Sequence, residues 1–157
     1  MINNIAIASD HAGYQLKQYL IENLGEEVNI KNFGTDSDES CDFPDFASEV
    51  SGFILNNDDY RGVLICGSGV GMSIAANKTS GIRAANVSDV DTAVQSVEHN
   101  NANVLCLGSN NVNEDEAITI VNSFVVHGAV RNSVLQVALV FKNKSSFCIE
   151  LFQILLC

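Results

Sequence analysis

Five short apolar segments, separated by stretches of helical periodicity, constrain this chain more than any other feature. They are Asn4 to Ser9 ("NIAIAS"), Val28 to Phe33, Gly62 to Cys66, Arg83 to Val87 and Asn103 to Leu107. Their apolar residues run on without strict alternation, the signature of strands covered on both faces. Between them, Leu16, Tyr19, Leu20 and Leu24 follow the helical period until Gly25 stops it. Pro44 suits the first turn of a helix running to about Asn56. Further helices are predicted over Val70 to Asn77, over Val90 to His99 with Ser88 as its cap, and over Asn113 to Phe124. The alternation predicts a single three-layer α/β domain over residues 1–157, Rossmann-like, with a five-stranded parallel sheet. In that architecture ligands collect at the carboxyl ends of the strands. Asp10 and His11, the run Cys66 to Gly71, and Gly108 all fall there.

Composition narrows the classes of partner. Of 157 residues 46% are hydrophobic, enough for a packed core, and the net charge of -11 disfavours nucleic acid and anionic membranes as partners. No apolar run reaches the length of a membrane span and no leader peptide is recognisable, so a cytoplasmic location is expected. Five cysteines, an odd number without a C-x-x-C pair, predict reduced thiols and neither a disulfide frame nor a zinc knuckle. The acids Asp36, Asp38, Glu39, Asp42 and Asp45 match no calcium-loop spacing and are expected to form a solvated loop.

The residues of interest each admit two readings. Cys66 stands directly before Gly67-Ser68-Gly69-Val70-Gly71. A strand-to-helix turn of that composition gathers backbone N–H groups that can hold an anion, and a thiol in the same field is favoured as thiolate. The same residues also fit a small core cysteine beside a packing turn. Asp10 can cap the first helix or serve the rim, and His11 can be a solvated helix-start residue. His99 and Asn100 close the fourth helix, where the dipole alone favours a histidine, yet His99 can also reach across a subunit boundary. His127 has no such context.

Taken together, "IAIASDHAGYQLK", "DFPDFA", "GVLICGSGVGMSIAANK", "GIRAA" and "HNNANVLCLGS" resemble the type B ribose-5-phosphate isomerases and the related galactose-6-phosphate isomerase subunits. The resemblance runs in order from Ile5 to about Phe124. It implies an aldose–ketose isomerase of the pentose phosphate pathway that interconverts ribose 5-phosphate and ribulose 5-phosphate with no metal or organic cofactor. By that resemblance Cys66 is the base and the N–H groups from Gly67 to Gly71, Gly69 and Val70 included, face the enediolate oxygens. Ser68 and His99 open the sugar ring. Asp10 and Asn100 bind hydroxyls, and His11 and Arg131 bind the phosphate. It also implies a homo-oligomer, dimer or tetramer, whose site is shared between chains. A hexose-6-phosphate isomerase and a weakly catalytic phosphosugar-binding protein remain the alternatives.

The chain departs from the pattern in two places. Asn110 stands where the family usually carries an arginine, and "HGAVRNSVLQV" replaces a Gly-Gly-Arg-His-x-x-Arg stretch, so that only Arg131 can be aligned and the second arginine falls on Leu135. Residues from about 125 to 157 hold three of the eight basic residues and one of the nineteen acids, a break with the acidic remainder. The apolar ending "SSFCIELFQILLC" is expected to be a replaced or frame-altered terminus, or else a helix packed on a partner subunit.

Overall fold

A computed structural model describes residues 3–126. Five strands, β1 (Asn4–Ser9), β2 (Asn29–Asn32), β3 (Tyr60–Cys66), β4 (Ala84–Asn86) and β5 (Val104–Gly108), form one parallel sheet in the order β2-β1-β3-β5-β4. The helices are α1 (Tyr14–Asn23), α2 (Phe43–Ile54), α3 (Val70–Asn77), α4 (Val90–Glu98) and α5 (Glu114–Val126), with a single 3-10 turn at His11–Gly13 leading into α1.

Alternate residues of each central strand serve opposite layers. Ile5, Ile7, Val63, Ile65, Leu105 and Leu107 pack with α1, α4 and α5 through Leu16, Leu20, Val97, Ile120 and Phe124. Ala6, Ala8, Leu64, Cys66, Val104 and Cys106 pack with α2 and α3 through Ala47, Val50, Ile54, Met72 and Ala76. Helices whose connections run one way along the sheet lie on one face and those running the other way lie on the opposite face, as a uniform crossover hand requires. The predicted α/β class, the five strands and their parallel direction therefore match the structure.

One local expectation is corrected. Ser88 does not cap α4. Asp89 does: its Oδ1 accepts the Thr92 N–H at 2.7 Å and its Oδ2 the Thr92 hydroxyl at 2.8 Å. A carboxylate with two oxygens serves both donors, which a lone hydroxyl cannot. Cys66 is the last residue of β3, where the sequence places the end of the third strand, and is only 5% exposed. Its even spacing from Leu64 turns its side chain into the layer beneath α2 and α3.

At the other end of the sheet Arg83 ties the start of β4 to the close of α4. Its guanidinium donates from Nε to the Asn101 carbonyl and from an Nη to the Gly81 carbonyl at 2.9 Å. Asn101 takes φ 52°, a left-handed conformation that asparagine tolerates, and its N–H returns to the Val97 carbonyl at 2.9 Å to end α4.

Candidate active site

Strand order assembles the rim. With β3 between β1 and β5, Ser9 lies opposite Ile65 and Cys66 opposite Gly108, so three strand ends meet. The loops after them are stitched together. Asp10 donates its N–H to the Ile65 carbonyl at 3.1 Å, Ser109 its N–H to the Cys66 carbonyl at 2.9 Å, and Asn110 its N–H to the Gly67 carbonyl at 3.0 Å. The Ser109 hydroxyl donates across to the Ala12 carbonyl at 2.9 Å. No side chain fits at Gly13, where a Cβ would stand 2.6 Å from the Ile65 carbonyl oxygen.

Within this frame the Cys66 sulfur accepts the Gly69 N–H at 3.1 Å. Gly69 takes φ 76°, the left-handed conformation that turns the loop into α3 and aims that N–H back at the sulfur. The Val70 N–H reaches the Ser68 hydroxyl oxygen at 3.3 Å. The N–H groups of Gly69 and Val70 are thus directed within the loop. Gly71 permits the Phe43 ring to close on the first turn of α3, where a Cβ would meet ring carbons at 3.1 Å. The other described thiol of this layer, Cys106, has its ionisation pushed up by burial first and by neighbouring Cys66 second. It is inert by that environment.

Asp10 is 7% exposed and its Oδ1 accepts the Gly13 N–H at 3.0 Å, so it caps the turn while lying beside Cys66's strand. His11 is exposed on the same rim, and its Nδ1 accepts the Cys41 N–H at 3.4 Å from the acidic loop. Ser68 is exposed. His99 and Asn100 are exposed as well but lie elsewhere. Val104, five residues after His99, pairs with Gly62, four steps before Cys66. At ~3.3 Å per residue the two groups are separated by roughly 13 Å along the strand direction alone. The fold therefore brings Asp10, His11, Cys66 and Ser68 together and leaves His99 and Asn100 toward the opposite ends of the strands. Arg131, His127 and the apolar terminus lie outside the described residues.

Sequence reasoning passed over Asn86 and Asn111. Their side-chain amides donate to one acceptor, the Ser68 carbonyl, at 3.4 and 3.3 Å. Nothing local marks them: one ends β4, the other follows β5, and only the lateral strand order makes them neighbours. Among the described residues no group of three or more histidine, cysteine or acidic side chains is placed to hold a metal ion, and no helix is long and apolar enough to cross a membrane.

The sequence profile described as Ribose/Galactose Isomerase matches residues 5–133. The chain belongs to that family. Ribose-5-phosphate isomerase B of Escherichia coli K12 is 41% identical to it over 125 residues, 79% of this chain and 84% of that protein. The crystal structure of a ribose 5-phosphate isomerase from Thermotoga maritima superposes with a TM-score of 0.83 at 40% identity, covering 87% of this chain and 96% of the other. The Mycoplasma genitalium ribose-5-phosphate isomerase B, solved with bound ribulose-5-phosphate, gives 0.80 at 38% identity, covering 90% and 97%. The likeness of this Ribose/Galactose Isomerase chain to its relatives thus spans the sheet, the rim and most of the sequence, and it makes the protein an isomerase.

Proposed function

We propose that the chain interconverts ribose 5-phosphate and ribulose 5-phosphate through a cis-enediolate, with Cys66 as the base. The observation that carries this reading is the Gly69 N–H held 3.1 Å from the Cys66 sulfur at the junction of three strand ends. A donor aimed at the sulfur can make a charge-assisted hydrogen bond to the thiolate that takes part in the reaction. The thiolate takes the proton from C2 of the open-chain aldose and returns it to C1. The hydroxyl proton of O2 passes to O1, so the carbonyl moves from C1 to C2 with no net gain or loss of atoms. The N–H groups of Gly67, Ser68 and Gly71 at the start of α3 face the negative oxygens, where a preorganised donor is worth ~3 kcal/mol.

Ring opening needs an acid and a base at the ring oxygen and the anomeric hydroxyl, the roles of Ser68 and His99. A chain whose own His99 lies toward the opposite ends of the strands from Cys66 meets that need by lending it to a second copy. The working enzyme is accordingly at least a homodimer, with His99 and Asn100 of one protomer facing Cys66 of its partner. Asp10 binds sugar hydroxyls, and His11 with Arg131 binds the phosphate.

Supplying purified full-length protein with ribose 5-phosphate, galactose 6-phosphate and allose 6-phosphate, and following ketose formation, tests the reading. Turnover of the pentose, falling by a thousandfold or so in Cys66→Ala, is the expected result, in line with the ~10²–10⁴ of general acid–base catalysis. Turnover of a hexose phosphate alone transfers the same chemistry to the larger substrate. Binding without turnover, or a Cys66→Ala variant within tenfold of the parent, overturns the isomerase role of the thiol.

A further inference from the structure

The Ser68–Gly69 peptide is held at both ends. Its N–H donates to the Cys66 sulfur at 3.1 Å, and its carbonyl accepts two side-chain amides, from Asn86 at 3.4 Å and from Asn111 at 3.3 Å. We propose that Asn86 and Asn111 are positioning residues that orient and polarise this peptide so that its N–H stabilises the Cys66 thiolate. Neither touches the sulfur, and neither is assigned a contact with substrate. The inference rests on the reading of Cys66 as the base and adds what aims a hydrogen-bond donor at it.

Three features of the structure carry it. The first is the shared acceptor: two amides from different strands converge on one carbonyl oxygen, which has two lone pairs and is filled by two donors. The second is linkage through the peptide itself. Hydrogen bonds to the carbonyl draw electron density from the amide nitrogen and strengthen its donation, the cooperative effect of hydrogen-bond chains. The third is close packing that transmits position. A Cβ at Gly69 would stand 2.1 Å from Asn86 Oδ1, and one at Gly108 would stand 2.7 Å from the Ser68 carbonyl carbon and oxygen and 2.6 Å from Asn111 Nδ2. The peptide therefore lies directly against Gly108 with the two amides beside it. Loss of either amide leaves the carbonyl under-satisfied and the plane of the peptide free to tilt.

The test separates this role from substrate binding and from the base assignment. Full-length Asn86→Ala, Asn111→Ala and the double variant are alkylated with iodoacetamide between pH 6 and pH 10, and labelling of the Cys66 peptide is followed by mass spectrometry. Relative to the parent, the double variant is expected to label about 3- to 10-fold more slowly at pH 7, part of the worth of one charge-assisted hydrogen bond, and equally fast near pH 10. Each single variant shows a smaller loss, and the singles carry the test if the double does not fold. For ribose 5-phosphate, kcat is expected to fall in the same proportion at pH 7 with KM unchanged, and to recover as pH rises. Labelling unchanged at every pH overturns the proposal. So does labelling slowed by the same factor throughout, which is altered access, and so does a raised KM with unchanged labelling, which is substrate contact. If Cys66→Ala keeps its turnover, the base reading fails; the alkylation profile still decides whether the asparagines tune the thiol.

Discussion

Replacing Gly108 with alanine isolates the contribution of the Ser68–Gly69 peptide. The φ of Gly108 lies outside the left-handed range, so the substitution strains no backbone and acts only through the added methyl. That methyl would stand 2.7 Å from the carbonyl carbon and oxygen of Ser68, where ordinary contact begins at 3.4 Å. Relief requires the peptide to retreat by about 0.7 Å, since backbone cannot swing aside as a side chain can. Asn111, whose Nδ2 would be 2.6 Å away, can swing aside but then abandons the Ser68 carbonyl. A retreat of that size stretches the Gly69 N–H to sulfur contact from 3.1 Å toward the limit of hydrogen bonding. Overpacking costs ~1–3 kcal/mol, offset by the ~0.4–1 kcal/mol that alanine gains by restricting the unfolded chain. The net expectation is destabilisation of about 1–2 kcal/mol. A weakened donor to a charged group, worth ~1.5–3 kcal/mol, lowers kcat about 10- to 100-fold. Urea unfolding and initial rates at saturating ribose 5-phosphate measure the two effects separately. The reasoning is refuted if stability drops as expected and kcat stays within twofold of the parent, because the peptide would then have moved without the base responding.

Gly52→Ala is the matched control: it lies within α2 with nothing within 4 Å of the new methyl, so it should stabilise the protein by ~0.5–1 kcal/mol in urea and leave kcat unchanged. In Arg83→Met the bonds to the Asn101 and Gly81 carbonyls are lost, loosening the turn after His99; kcat should fall while the alkylation rate of Cys66 stays at the parent value, and a slowed alkylation would contradict the separation of the two ends. The Asp89 carboxyl is held below the ordinary carboxylate range by the Thr92 N–H and then the Thr92 hydroxyl. A depressed acid stabilises the fold above its unfolded pKa and loses that contribution as pH falls through the folded value. Asp89→Ala should therefore lower the urea midpoint at pH 7, and the gap to the parent should narrow progressively as pH falls below the unfolded aspartate value of about 3.9; a gap independent of pH would refute the capping role. Turnover should be unaffected by EDTA, and a loss restored by a divalent ion would show that the chemistry is not carried by the thiol alone.

The legibility of this chain follows the range of the interactions involved. The glycine turn after Cys66 was readable because a left-handed residue and a helix start are local events, and Gly69 and Val70 take up those positions. The choice between Ser88 and Asp89 as cap was not, since adjacent residues both favour capping and the decision lies in the backbone conformation at Asp89, φ -150° and ψ 161°. That Cys66 ends its strand was legible, since the apolar run stops at the glycine turn, but its partner across the sheet, Gly108, depends on strand order.

By itself the order of residues settled the α/β class, the five parallel strands and the placing of Asp10, Cys66 and the glycine loop each at the end of a strand, because period, turn chemistry and helix starts act over a few neighbours. Tertiary structure decided which strands lie side by side, and with them the meeting of the β1, β3 and β5 ends, the convergence of Asn86 and Asn111 on one carbonyl, and the placing of His99 toward the opposite ends of the strands. Those outcomes depend on contacts between residues tens of positions apart, whose free energy is set by how whole layers pack and leaves no periodic mark along the chain.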